Sequence, residues 1–281
     1  MRTLGDYWQL TRPRIVVMVL FAMAVAARSA GEQPPPGHVL MHALLGAALV
    51  IVGAVALNQR LERLGDAKML RTVRRPLPSG RLADRQVTLF GSLTSAAGFG
   101  YLTWWSTGSV VALAGVSWVI YVWTYTPLKS VTVWQTPIGA LAGAMPILLG
   151  AAAAGATFSP MALALFGIVF FWQIPHAMAI AWLYRRQFAS ADVKLVTVLD
   201  PSGRIAGLLA VVGAVVLLPV SMLPLLFSSN GWGYATVAML LGACYWASAA
   251  AFHRHRNDTT AQRLLRASVV YLPALFAALL W

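Results

Sequence analysis

The sequence predicts an all-α, polytopic membrane protein: a single domain over residues 1–281 with nine transmembrane helices, N-terminus inside and C-terminus outside. Three observations carry this. Hydrophobic residues make up 59% of the chain and charged residues only 10%. Apolar runs of about 20 residues, the length needed to cross a hydrocarbon core, recur from end to end. Once those runs are threaded through a bilayer, 20 of the 21 lysines and arginines fall on one side of it.

The runs read as roughly 14–30, 38–57, 86–105, 107–126, 137–156, 159–182, 204–227, 232–253 and 264–281. Met1 to Arg14, ahead of the first, is polar and basic and lacks the apolar stretch of a cleavable signal, so no processing is expected. The second run ends at Asn58, where a long polar loop, 58–85, brings eight basic residues. The fourth closes on Lys129. The fifth carries Ala151 to Ala154, small residues that let helices approach closely in lipid. The sixth feeds a second polar loop, 183–203, with Arg185, Arg186 and Lys194. The eighth holds the single cysteine, Cys244, which can form no internal disulfide and says nothing about compartment. Only Arg28 falls outside, which is the bias that the positive-inside rule demands. That topology accounts for the net charge of +13 and requires no nucleic-acid partner. A basic inner face also attracts anionic membrane lipids or an anionic substrate.

Reactive groups share that face. Seven of the eight acids lie there: Asp6, Glu62, Asp66, Asp84, Asp192, Asp200 and Asp258. The outer connections, Glu32–Gly37, Ser106–Gly108, Gly155–Ser159 and Ser228–Gly233, carry almost no chemistry. Asn58, Glu62 and Asp66 are spaced i, i+4 and i+8, so on a helix one amide and two carboxylates share a face. One or two carboxylates completed by substrate phosphates are the usual way to hold Mg²⁺. The arginines just downstream, Arg71 and Arg75 among them, are suited to gripping the same phosphates. A metal–diphosphate site at a helix end competes here with a solvated helix end whose acids pair with nearby arginines.

Further residues have two readings each. His176 lies within the sixth run, where ionisable side chains default to function; haem ligation by its imidazole competes with a helix-to-helix hydrogen bond. Tyr125 and Tyr184 end spans on the inner side and suit either an aromatic belt or catalytic contact. His253 and His255, flanked by Arg254 and Arg256, read as a solvated basic loop, and Asp200 to Gly203 as a turn. Neither a Ser/His/Asp or Cys/His set nor zinc-type spacing is found. A transporter is disfavoured, because the acids gather at one mouth and no charges line a path through the spans apart from His176.

The stretch Asn58-x3-Glu62-x3-Asp66 followed by Arg71-Thr72-x2-Arg75-Pro76-Leu77-Pro78-Ser79-Gly80 resembles the first metal motif of the UbiA superfamily of intramembrane prenyltransferases. Leu10 to Arg14, Tyr125-Thr126-Pro127-Leu128-Lys129, Trp172-Gln173-Ile174-Pro175-His176, and Gly139, Gly143 and Pro146 are most similar to its haem-farnesylating branch. The likeness covers about residues 5–205; the last three spans match in hydropathy alone. It implies a UbiA-type bundle in the inner (cytoplasmic) membrane of the cell. It also implies transfer of a farnesyl group from farnesyl diphosphate to a vinyl group of haem B, with Mg²⁺ on Asn58, Glu62 and Asp66. Arg71, Arg75 and Lys129 would stabilise the leaving diphosphate, and a haem A synthase or oxidase assembly partner would take the product.

The sequence departs from that pattern after the sixth span. There the family usually carries Tyr-Arg-(Glu or Lys)-Asp-Tyr, and this chain has Tyr184-Arg185-Arg186-Gln187-Phe188. A neutral glutamine holds a divalent cation much less well than a carboxylate. Three outcomes stay open at this point: Asp192 stands in as a metal ligand, Arg185 and Arg186 hold the diphosphate directly, or the chain is an inactive paralogue with a haem-binding or assembly role. Gln135, where the family often has asparagine, is a smaller departure. A UbiA-type transferase acting on another aromatic acceptor is a further alternative.

Overall fold

The structure, a computed structural model, describes residues 2–227 and 231–280, and all regular structure among them is helical. In chain order the helices are α1 (Arg2–Thr11), α2 (Pro13–Ser29), α3 (Gly37–Leu61), α4 (Arg63–Lys68), α5 (Asp84–Trp105) and α6 (Gly108–Val119). A π-helical segment, Ile120–Tyr125, leads from α6 into α7 (Thr126–Leu128). Then come α8 (Gln135–Ala153), α9 (Pro160–Leu183), α10 (Arg185–Ser190), α11 (Val196–Leu199) and α12 (Arg204–Met222) with a 3₁₀ extension over Leu223–Leu226. The chain closes with α13 (Trp232–His255) and α14 (Asp258–Leu280).

Seven of these rods are long and apolar enough to cross a membrane: Gly37–Leu61, Gly108–Leu128, Gln135–Ala153, Pro160–Leu183, Arg204–Leu226, Trp232–His255 and Asp258–Leu280. The pair Leu4–Thr11 and Pro13–Ser29, bent by 40° at Arg12, makes an eighth when taken as one span. This is a multi-pass membrane protein. The expected third span is a helix, α5, but it falls short on hydropathy because serine, threonine and glycine, not charge, interrupt its apolar face. Boundaries moved where polar capping extends a helix beyond its apolar part. α14 starts at Asp258, not near 264, since Asn257 Oδ1 accepts from the Thr260 N–H at 2.9 Å. Of the expected outer connection Ser228–Gly233 and the last run, residues 228–230 and Trp281 lie outside the described residues.

Helix α8 is the axis of the bundle, buried from Ala144 to Ala153 without a break. On one side α9, α12, α13 and α14 pack around Leu165, Leu217, Tyr245 and Phe276; on the other α3, α5 and α6 pack around Ala47, Leu102 and Val110. Residues of α2 and α8 belong to both cores. Burial without a polar face explains why α8 reads as uniformly apolar.

The α3–α5 contact is the most extensive in the fold and depends on missing side chains. A Cβ on Gly53 would stand 2.6 Å from the Gly91 carbonyl oxygen and 2.7 Å from the Ser95 amide nitrogen. Both are backbone atoms of α5 that cannot turn aside, so Gly53→Ala must push the two helices apart. Overpacking of this kind costs about 1–3 kcal/mol. The expected outcome is a clear fall in the melting temperature of the detergent-purified variant, against little change for Gly100→Ala, whose Cβ would meet nothing within 4 Å.

Candidate active site

At the end of the bundle that carries the long polar loops, a cavity of about 820 Å³ opens between the two halves. Its floor is apolar: Met23, Val50, Ala54, Ala114, Pro146 and Leu149 from α2, α3, α6 and α8. Its mouth is charged, lined by Arg12, Asn58, Glu62, Asp66, Arg71, Arg75, Lys129 and Asp192. The volume falls in the range of about 300–1,000 Å³ typical of small-molecule sites.

The three residues at i, i+4 and i+8 reach the cavity as their spacing predicts, with a bend at Glu62. The Glu62 N–H donates to the Asn58 carbonyl at 2.9 Å and the Asp66 N–H to that of Glu62 at 2.8 Å, so helical bonding bridges α3 and α4. Glu62 itself sits at φ −85°, ψ 0°, the sparsely populated region frequent at active sites. Asp66 is then fixed from its own backbone, whose carbonyl accepts the Thr72 hydroxyl at 2.8 Å.

Each carboxylate has a cation. Lys129 Nζ hydrogen-bonds Glu62, and Arg75 Nη1 donates to Asp66 at 2.5 Å. Burial pushes the Glu62 carboxyl up, but the charge and hydrogen bond of Lys129, with help from Arg12 and Asn58, outweigh it and bring the pKa below its ordinary value. Burial also raises Asp66; here Arg75 does not compensate and nearby Glu62 adds to the rise, so its pKa lies above normal. Burial lowers the Lys129 ammonium, yet Glu62 and the two tyrosine rings beside it leave it raised overall. Its Nζ lies 4.3 Å from the centre of the Tyr125 ring.

Asn58 is locked by the π-helical segment. Its Nδ2 donates to Thr126 Oγ1 at 2.9 Å, and that hydroxyl donates to the Tyr121 carbonyl at 2.7 Å, five residues back. Asn58 Oδ1 is left buried with no hydrogen-bond partner among the described residues. An unpartnered amide oxygen beside two carboxylates is an all-oxygen donor set, which fits a hard divalent cation. Among the described residues no three His, Cys, Asp or Glu gather as a metal cluster, so oxygens from a ligand and water would complete any shell.

Arg12 joins the site although the sequence marks it only as part of the Leu10 to Arg14 motif. It stands between α1 and α2 at φ 47°, a left-handed conformation costly for a side-chain-bearing residue ahead of proline. Its Nη2 is buried without a partner. The strain therefore delivers an unsatisfied guanidinium N–H to the mouth of the cavity.

The other expected site residues separate. Arg71 lies over the rings of Tyr184 and Phe188, at 4.9 and 5.1 Å, and lines the mouth. Asp192 lines the rim, exposed, with its pKa lowered by Lys68, whose Nζ donates to it at 2.7 Å. Arg185 turns away, donating to Asp258 at 3.0 Å and to the Trp182 carbonyl at 2.7 Å. Arg186 is exposed, and neither Arg185 nor Arg186 lines the cavity. Gln187 joins the two loops, its Oε1 accepting the Arg71 N–H at 3.2 Å. Gln135 donates to the Lys194 carbonyl at 3.4 Å. His176 lines the deeper part, stacked on Trp172 with 5.0 Å between centroids.

An oxygen-rich, cation-lined mouth over an apolar chamber between membrane helices defines a protein that handles an anionic head group on an apolar tail. Residues 15–278 match the UbiA prenyltransferase family, and the chain belongs to that family. It is 36% identical to a protohaem IX farnesyltransferase of Solibacter usitatus, over 98% of this chain and 97% of that one. It is 37% identical to a protein of the same name from Rhodopirellula baltica, over 95% and 96%. The fold matches a digeranylgeranylglyceryl phosphate synthase with a TM-score of 0.79 at 14% identity, covering 99% of this chain and 98% of that one. It also matches a UbiA homologue of Archaeoglobus fulgidus bound to GPP and Mg²⁺, TM-score 0.66 at 14% identity, covering 98% and 100%.

The opposed shifts separate the two acids. A carboxylate whose pKa is lowered on folding adds stability at neutral pH that is lost as pH falls through the lowered value; one whose pKa is raised costs stability until it is protonated. Glu62→Gln removes the first kind and strands Lys129, whose side chain is only 22% exposed. It is expected to cost about 2–3 kcal/mol. Asp66→Asn removes the second kind and is expected to melt within a few degrees of wild type. Thermal melts of both variants at pH 7 and at pH 4 or lower check this, the Glu62→Gln deficit holding down to about pH 5 and shrinking only as pH falls below the ordinary glutamate value of 4.5 toward the lowered one.

Proposed function

We propose that this chain transfers the farnesyl group of farnesyl diphosphate to a vinyl group of protohaem IX (haem B), giving haem O. The observation that carries the reading is the cavity itself, charged at its mouth and apolar at its floor, in a chain whose full-length relatives bear that activity in their names. The diphosphate head lies at the mouth and the prenyl tail in the chamber. Nine spans, with N-terminus and mouth on the cytoplasmic side of the inner membrane, are the topology that best suits the placement of the basic residues.

Asn58 Oδ1, Glu62 and Asp66 would hold Mg²⁺, which would neutralise charge on the diphosphate and make it a better leaving group. Arg12, Arg75 and Lys129 are donors at the same mouth, positioned to stabilise charge on the departing oxygen as the allylic C–O bond breaks. The electron pair leaves with the diphosphate. The vinyl π electrons then form the new C–C bond, and water adds to the resulting cation with loss of a proton, giving a hydroxyethylfarnesyl group. The apolar walls keep bulk water away until the C–C bond exists.

Gln187 favours a working enzyme over a disabled one. In place of an acid it makes a specific bond to the backbone of Arg71 and ties the two loops together.

Expression in cells that lack haem O synthase, with mass analysis of the extracted haem, tests the reading: haem O is the expected product. Asp66→Asn is expected to reduce its formation roughly 10²- to 10⁴-fold at unchanged protein level. Wild-type activity in both Asp66→Asn and Glu62→Gln would remove these residues from the site. Gln187→Asp is expected to change the rate only a few-fold. An inactive wild type that gains activity from this substitution would instead mark a disabled site. A reporter fused after Trp281 is expected to be active only outside the cytoplasm.

A further inference from the structure

The deeper cavity wall carries an imidazole whose proton can be placed. His176 Nδ1 lies 2.7 Å from Ser268 Oγ. That serine is fully buried, and its hydroxyl lies 2.6 Å from the Leu265 carbonyl oxygen. A hydroxyl has one proton, and an oxygen–oxygen contact this short is repulsive unless the proton lies in it. The Ser268 proton therefore points to Leu265, and Ser268 Oγ must accept from His176. This makes His176 the Nδ1–H tautomer, with the Nε2 lone pair unprotonated.

The ring is rigid as well as oriented. It stacks on Trp172, whose indole Nε1 donates to the Ser268 carbonyl at 2.8 Å, so α9 and α14 clamp it from two directions. Nε2 has no protein partner among the described residues, and the residue lines the chamber. His176 stands seven residues before the end of α9 at Leu183. At 1.5 Å per residue that is about 10 Å inward from the charged mouth. A neutral imidazole with a free Nε2 and a carbonyl-like acceptor on Nδ1 is the arrangement that proteins give a metal-ligating histidine. The wall around it is largely apolar, with Gly143, Pro146, Ala177 and Ile180 beside Gln173, whose Nε2 is taken up by the Ala140 and Val169 carbonyls, and this suits a metal carried on an apolar molecule.

We infer that His176 coordinates the iron of the porphyrin acceptor through Nε2 and that Ser268 acts as the positioning residue that fixes its tautomer. The inference rests on haem B being the acceptor. One axial bond anchors the macrocycle deep in the chamber and turns one edge of it toward the mouth, where the allylic carbon is released.

The test is spectroscopic and independent of turnover. Purified full-length protein is titrated with ferric haem B, then reduced, and the bound haem is examined by absorption and resonance Raman spectroscopy. Wild type is expected to bind haem and to show an iron–imidazole stretch in the ferrous state. His176→Gly is expected to lose that band and to bind at least ~10-fold more weakly, with added imidazole restoring both. Ser268→Ala is expected to keep the band at a shifted frequency and to weaken binding by about 10-fold. Haem bound by wild type without an imidazole signature, or an unchanged spectrum in His176→Gly, overturns the inference and leaves the acceptor assignment standing. Failure of wild type to bind haem at all overturns both. If His176→Gly does not fold, the wild-type spectrum and Ser268→Ala decide.

Discussion

Charges placed at the end of an apolar helix bundle must be paired, and here the pairing is made across elements that would otherwise be independent. The Glu62–Lys129 pair ties the end of α3 to the end of α7, and the Asp66–Arg75 pair closes the loop after α4 onto itself. Glu62 cannot leave its pair cheaply, because Lys129 would be stranded where its side chain is only 22% exposed, at about 2–3 kcal/mol. In the proposed reaction this becomes a device. Glu62 and Asp66, if they held a divalent cation, would give up Lys129 and Arg75, and those two cations, if they held a diphosphate, would give up the carboxylates. Each ligand removes the obstacle to the other, and linkage makes the effect reciprocal. Metal and diphosphate would then each favour the binding of the other.

That exchange needs a frame that does not move with it. The frame is the π-helical turn at Ile120–Tyr125, which holds Asn58 through Thr126 without using Asn58 Oδ1, and α8, which fixes the wall behind. The absence of a side chain at Gly139 matters for the same reason. A Cβ there would stand 2.6 Å from the Tyr125 ring, the ring over which Lys129 sits. A shift of that ring would disturb the Glu62 pair, so packing in the membrane and electrostatics at the mouth share one hinge of contacts.

Much of this was legible in the sequence, for definite reasons. Helices of about 20 apolar residues announce themselves because lipid demands internally satisfied backbones. The Asn58–Glu62–Asp66 spacing carried the site because helical bonding really does continue through the bend at Glu62. What stayed hidden was non-periodic. Arg12 acts through one left-handed residue, which no hydropathy pattern encodes, and only its motif, Leu10 to Arg14, drew notice. The amphipathic helix α1 read as mere polar sequence, although Tyr7 packs against Phe90 while Leu4 and Trp8 stay exposed. Helix α5 was legible as a helix, yet it is marginal in hydropathy because small residues face its neighbour α3. The fate of Arg185 depends on Asp258, 73 residues downstream, a pairing that sequence cannot reveal.

The departure at Gln187 takes on a different meaning once the charges are located. Around the mouth stand four cations, Arg12, Arg71, Arg75 and Lys129, against two inward carboxylates, Glu62 and Asp66, with Asp192 neutralised at the rim by Lys68. An acidic second motif would be expected to bring a second divalent cation to balance it. Here the second loop instead contributes a neutral glutamine and two aromatic rings that support Arg71. In the proposed reaction a diphosphate would be met by these fixed cations together with the metal that Asn58, Glu62 and Asp66 would hold. Gln187 thus serves the mouth indirectly, by holding the stretch of chain that carries Arg71.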